Sequence, residues 1–159
     1  MTSFNVQIFR AYDVRGVVGT DLVEEVVAAI GEVLCTSESG GPPATAVVGR
    51  DCRLHSPDVS RWLCAGMTRA GASVVDVGMG PTPMLYHAAK GRTVAVMVTG
   101  SHNPPEYNGL KILRDGQALH GAAIRELGRG VERILGRGGA SADRGGRVAQ
   151  DPDARERYA

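Results

Sequence analysis

Thr93-Val94-Ala95-Val96-Met97-Val98-Thr99-Gly100-Ser101-His102-Asn103-Pro104-Pro105 decides how the chain is read. Five apolar residues, Val94–Val98, end abruptly in residues of special backbone chemistry. A short valine-rich run reads as a strand buried on both faces, the kind found inside parallel sheets. Gly100 permits a close approach or an unusual backbone angle. Pro104 and Pro105 fix their own φ and restrict the residues before them, so the loop is stiff. A stiff loop holds an exposed hydroxyl at low entropic cost. With His102 beside it and Lys111 on the next strand, Ser101 fits a nucleophilic or phosphate-carrying serine. The competing reading is a Ser/Asn/Pro turn that only joins two strands.

Outward from that loop, strand and helix patterns alternate. Ile8–Val14 reads as a β-like stretch closed by Arg15-Gly16. Leu22–Leu34 reads as a helix from apolar residues at three- and four-residue steps, with Thr20 or Asp21 as its cap. Thr45–Val48 reads as a buried strand ending at Gly49-Arg50-Asp51. Ser56-Pro57 opens a helix that runs to about Ala70, since Pro suits the first helical position. Ser73–Val77 is the next strand, Gly78-Met79-Gly80 a turn, and Pro81–Lys90 a helix. A short strand at Leu110–Leu113, a turn at Asp115-Gly116 and a helix at Gly121–Leu135 follow. This predicts an α/β fold, a three-layer sandwich on a mainly parallel, mixed sheet. Residues 1–135 form one domain. Residues 136–159 read as a linker toward an absent second domain. Ligands of such sheets bind beyond the carboxyl ends of the strands, which places the loops after Val48, Val77 and Val98 on the functional edge.

Composition narrows the function classes. The 159 residues carry 18 Lys plus Arg and 17 Asp plus Glu, a net charge of +1. That balance gives no electrostatic reason to expect nucleic acid or an anionic membrane as partner. Hydrophobic residues at 43% suffice for a core, built mostly from Val, Ala, Leu and Ile because aromatics are only 4%. The longest apolar runs fall far short of the roughly 20 residues a bilayer span needs. Met1–Arg10 has no basic stretch followed by an apolar core, so it does not read as a secretory signal. Cys35, Cys52 and Cys64 are odd in number and unpatterned, which points to a reduced, cytoplasmic protein. Cys52-x-x-His55 with Cys64 lacks a fourth ligand and regular spacing, so core cysteines are preferred to a metal site. Gly49-Arg50-Asp51 reads as a structural strand-end turn with an Arg–Asp pair. Arg125, Arg129, Arg133 and Arg137 fall on one solvated helix face, or pack on an acidic surface of another domain. No Gly-x-Ser-x-Gly elbow is present, which argues against a serine hydrolase.

Several motifs in order resemble one family. Phe9-Arg10-Ala11-Tyr12-Asp13-Val14-Arg15-Gly16 resembles the opening motif of the α-D-phosphohexomutases. Thr99–Lys111, TGSHNPPEYNGLK, closely resembles that family's phosphoserine loop. Gly49-Arg50-Asp51 and the segment from Asp76-Val77-Gly78 to Pro81-Thr82-Pro83 fall where the family has similar segments. The start resembles the phosphomannomutase/phosphoglucomutase branch. Phosphoglucosamine mutases carry Ala where Gly100 stands.

The resemblance implies a fold like phosphohexomutase domain 1 and an isomerase of carbohydrate metabolism. It implies that Ser101 carries a phosphoryl group, passes it to a hexose phosphate to give a hexose 1,6-bisphosphate, and takes back the other phosphate. Lys111 then matches an acid/base or charge-stabilising group, Arg15 an active-site arginine, and His102 the histidine beside the phosphoserine. Tyr12 and Asn103 shape the loop or touch substrate. The family's Mg2+ is implied too, with the Ser101 phosphoryl group as one ligand and the others in the absent second domain, since no Asp-x-Asp-x-Asp pattern occurs here. The expected partners are a hexose phosphate and the remaining mutase domains, with no nucleic acid or membrane. The chain alone is expected to be inactive. The alternative is a free-standing, non-catalytic domain that binds sugar phosphates or a protein partner.

Overall fold

The computed structural model describes residues 4–159. Seven strands form one sheet: β1 (Val14–Val17), β2 (Thr45–Arg50), β3 (Ser73–Met79), β4 (Val94–Val98), β5 (Tyr107–Arg114), β6 (Gln117–Ala118) and β7 (Arg147–Gln150). Their order is β1-β5-β4-β2-β3-β7, with β6 pairing β5. β4, β2, β3 and β7 are mutually parallel neighbours. β5 is antiparallel to β4, β1 and β6. It follows that β5 alone runs against the others, and the sheet is mostly parallel.

Helices cover both faces. α1 (Glu24–Cys35), α2 (Ser56–Arg69) and α4 (Ala122–Gly136) pack on one face, α3 (Thr82–Ala88) and α5 (Ala154–Tyr158) on the other. Each strand divides its side chains between the two layers by its period of two. Ala46, Val48, Val96, Val98, Leu110 and Ile112 join the α1–α2–α4 core, together with Leu63, Met67 and Ile30. Val47, Ala95 and Met97 meet Met84 and Leu85 of α3 in the smaller core. The predicted three-layer α/β sandwich is the fold observed.

The differences from the sequence reading have local causes. Before β1 the chain forms a short 3-10 turn, Val6–Ile8, capped by the Asn5 side chain, which accepts from the Gln7 amide. Arg15-Gly16 lies inside β1 rather than closing it. α1 starts at Glu24 without a side-chain cap. The Asp21 carboxylate, an expected cap, instead accepts from the Val17 amide and from Asn5 Nδ2. β5 begins at Tyr107, earlier than the predicted Leu110. Within residues 136–159, predicted as linker, Arg147–Gln150 extends the sheet beside β3 and Ala154–Tyr158 forms a helical turn.

The parallel strands end at one edge, and the loops after β2 and β4 meet there. The Asp51 amide donates to the Val98 carbonyl at 2.9 Å, and the Gly80 amide to the Arg50 carbonyl at 3.0 Å. Two neighbouring carboxyl ends thus hold the serine loop and residues 51–55 against each other.

Candidate functional site

Residues 99–106 join β4 to β5 and carry Ser101 at an exposed position. Nearly every backbone group around that serine is tied down. The Gly100 amide donates to Asp51 Oδ2 at 3.0 Å. The Gly100 carbonyl accepts from Arg15 Nη1 at 2.8 Å, and from the Asn103 amide and Nδ2 at 3.0 and 3.1 Å. The Ser101 amide donates to Thr99 Oγ1 at 3.0 Å. Ser101 itself sits at φ +51°, in the left-handed region. A non-glycine residue there costs on the order of 1–3 kcal/mol, and it persists only where the surroundings impose it. Its Oγ has no hydrogen-bond partner among the described residues.

The support beneath the loop comes from residues 51–56 and from β5. Arg53 Nη1 donates to the carbonyls of Pro104 and Tyr107 at 2.7 and 3.0 Å. Its Nη2 donates to those of Ser101 and Asn103 at 3.1 and 2.6 Å. Asp51 Oδ1 accepts from Ser56 Oγ and from the Arg53 amide. Asn108 is fully buried; its Nδ2 donates to Ser56 Oγ at 2.9 Å and faces His55 Nδ1 at 3.0 Å. His55 Nε2 then lies 2.8 Å from the Pro105 carbonyl. An amide donor on Nδ1 and a carbonyl on Nε2 fit the tautomer that carries its proton on Nε2. Partial burial opposes the charge on Asp51. Hydrogen bonds from Ser56, the Arg53 and Gly100 amides and Thr99 outweigh it and hold the carboxyl below the usual aspartate value.

The structure places the expected site residues unevenly around the loop. Arg15 is buried, with 6% of its side chain exposed, and pairs with Asp13 as well as holding Gly100. Its Nε is buried with no partner. Gly109 pairs with Arg15 across β1 and β5, and a Cβ there would lie 3.0 Å from that Nε. Lys111, two residues on, shares the sheet face of Arg15 and is half-buried. The side chains of Lys111, His102 and Tyr12 have no hydrogen bond or ion pair among the described residues. His102 is exposed beside Ser101, and Tyr12 is 80% exposed in the turn before β1. Asn103 is drawn into the loop; Tyr12 is not bonded to it.

Arg53, His55 and Asn108 form the support and are absent from the sequence-derived set. Gly49-Arg50-Asp51 is corrected in its pairing. Arg50 bonds Asp76 at 3.3 Å, whereas Asp51 faces Arg53 at 3.5 Å. The reading of Cys52 and Cys64 as core cysteines holds for Cys64, but Cys52 is exposed; Cys35 is buried as well. Burial pushes the Cys35 and Cys64 thiols up to about 12; at Cys64, the neighbouring Asp76 adds to it. Among the described residues no group of three or more His, Cys, Asp or Glu could hold a metal. The residues present do not fit a Mg2+ shell of about six oxygens. Cavities of about 790 and 830 Å³ lie by Tyr86, Lys90 and Arg92, and between the end of α1 and the length of α4. Both reach Thr93, at the opposite edge of the sheet from Ser101. No described helix is long and apolar enough to cross a membrane.

Residues 6–136 match the family model described as phosphoglucomutase/phosphomannomutase, alpha/beta/alpha domain I. The phosphoglucomutase of Neisseria gonorrhoeae is 41% identical over 152 residues, covering 94% of this chain and 32% of that protein. The phosphomannomutase/phosphoglucomutase of Pseudomonas aeruginosa is 47% identical over 130 residues, covering 79% and 28%. A crystal structure of a phosphoglucomutase/phosphomannomutase family protein from Burkholderia thailandensis superposes with a TM-score of 0.80 at 36% identity. It covers 98% of this chain and 35% of the other. The chain spans about a third of the length of these relatives. On the sheet order, the serine loop and a family match over most of its length, the chain belongs to the phosphoglucomutase/phosphomannomutase family, through that family's first α/β/α domain.

Proposed function

We propose that this chain is the phosphoserine-bearing domain of a phosphohexomutase, with Ser101 as the group that carries the phosphoryl. One observation carries the reading. Ser101 is held by its backbone in a costly conformation while its hydroxyl is left free and exposed at the carboxyl edge of the sheet. A left-handed residue alone does not mark a site, since Asp115 adopts that conformation in the turn between β5 and β6; but a turn that merely connects two strands has no need of a braced loop with a free hydroxyl. Phosphoryl transfer does, because it asks the protein mainly for positioning and charge stabilisation.

In the first transfer the Ser101 Oγ–P bond breaks as a sugar hydroxyl bonds the phosphorus, giving a hexose 1,6-bisphosphate. After the sugar turns round, Oγ takes up the other phosphoryl group. The proton lost by the attacking hydroxyl and the one gained by the departing oxygen pass through an acid/base group, and Lys111 has that role. Phosphoserine carries about −1.5 to −2 charges near neutral pH, so it calls for cations that are not already neutralised. Lys111 meets that need, and His102 stands beside Ser101 as a hydrogen-bond partner. The buried, unpartnered Nε–H of Arg15 supports a phosphate contact on that side of the loop. Asn103 shapes the loop, and Tyr12 touches substrate. A metal would meet this chain through the phosphoryl oxygen of Ser101 and hold its other ligands elsewhere; no step here depends on it.

The isolated chain is expected to turn over poorly, because it spans only about a third of the length of the relatives it matches. The test is a hybrid in which residues 6–136 replace the matching segment of the Pseudomonas aeruginosa relative. The hybrid should convert α-glucose 1-phosphate to glucose 6-phosphate, and Ser101→Ala should abolish the conversion. Undiminished turnover in the Ser101→Ala hybrid would refute the assignment.

A further inference from the structure

We infer that Arg53 is a positioning residue for Ser101: it sets the conformation of the serine loop without touching substrate. This rests on the reading of Ser101 just given. The four terminal N–H groups of the guanidinium go to four carbonyls, those of Ser101, Asn103 and Pro104 in the loop and of Tyr107 at the start of β5. The fifth, on Nε, faces Asp51 Oδ2 at 3.5 Å. A guanidinium has five N–H donors; four are bonded to backbone carbonyls, and the fifth lies in an ion pair with the Asp51 carboxylate rather than in a hydrogen bond. The carbonyls of Ser101 and Asn103 have no other donor among the described residues.

Arg53 and Asp51, themselves an ion pair, hold backbone groups on either side of Ser101 in sequence. Asp51 accepts the Gly100 amide while Arg53 holds the carbonyls that follow. Between them the backbone entering and leaving Ser101 is fixed, and the left-handed φ of Ser101 is imposed. The residue before the serine is shaped to admit the guanidinium. A Cβ on Gly100 would lie 2.1 Å from Arg53 Nε and 2.2 Å from Cζ. A serine that must give and take back a phosphoryl group within one turnover needs the same place both times, and this brace supplies it. Lysine cannot replace it, since a single ammonium offers three donors from one point rather than a planar fork.

The test combines amide exchange on the 159-residue chain with kinetics on the hybrid enzyme, for Arg53→Lys and Arg53→Gln. In both variants the interiors of β2 and β4 should keep their protection. The amides of Gly100, Ser101 and Asn103 should exchange about tenfold faster or more, as a locally opened segment does. In the hybrid, kcat should fall by about ten- to a hundredfold, with the KM for the sugar phosphate changed less than about twofold. Unchanged loop exchange in both variants would overturn the inference, as would a rise in KM at constant kcat, which marks a substrate-binding arginine. If the unsubstituted hybrid is inactive, it is the Ser101 reading that fails, and loop exchange alone decides the brace.

Discussion

Replacing Asn108 by alanine tests the buried network under the serine loop. Asn108 is 0% exposed and sits where β5 leaves the loop. Its Oδ1 accepts the Gly109 amide at 2.8 Å, and its Nδ2 serves Ser56 Oγ and His55 Nδ1. Alanine leaves the buried Gly109 amide without its side-chain acceptor, which costs about 1–3 kcal/mol. The lost bonds to Ser56 and His55 add about 1 kcal/mol, because water can reach His55 but not Ser56. The sum is about 3 kcal/mol, a large fraction of the roughly 5–15 kcal/mol by which a domain is stable. With a urea slope of about 2 kcal/mol per molar, the unfolding midpoint should fall by about 1.5 M. Equilibrium urea unfolding followed by far-UV circular dichroism measures this directly. A loss below about 0.5 kcal/mol, the range of ordinary surface substitutions, would refute the claim that the network holds the loop.

Two further outcomes follow from charge and exposure. Asp51 is held below its ordinary value of 3.8, so its stabilising effect is fully present above that pH and is lost as pH falls through the lower folded value. Exchange-corrected amide protection of Gly100 should therefore drop below about pH 4 in the native chain, and the drop should vanish in Asp51→Asn. A thiol reagent at neutral pH should label Cys52 rapidly and leave Cys35 and Cys64 unlabelled until the chain unfolds, since both are buried and hard to ionise. Mass spectrometry reads the number of labels, and fast labelling at Cys35 or Cys64 would contradict the packing of α1 on α2.

The layered fold was readable because its cause is periodic. Valine-rich strands alternate with helices whose apolar residues recur at three and four, and these patterns survive burial from both sides. β7 left no such trace. Arg147, Val148, Ala149 and Gln150 are all exposed, and they form a strand only because β3 offers them a free edge. The start of β5 was hidden for another reason. Tyr107-Asn108-Gly109 reads as loop, yet Asn108 is buried by polar partners that lie 52 and 53 residues away. At the site, Ser101 stood out through its stiff setting between Gly100 and two prolines. Arg53 did not, because its role depends on contacts about 50 residues distant. The usable signal was an arginine two residues past an aspartate at the end of a buried strand.

The most direct measurement is phosphopeptide mapping of the protein carrying this chain, purified from its own cells under phosphatase inhibition. The account predicts one phosphoryl group on Ser101, discharged when the protein is exposed to a hexose phosphate. A catalytically active preparation with Ser101 unmodified before and after substrate would contradict it.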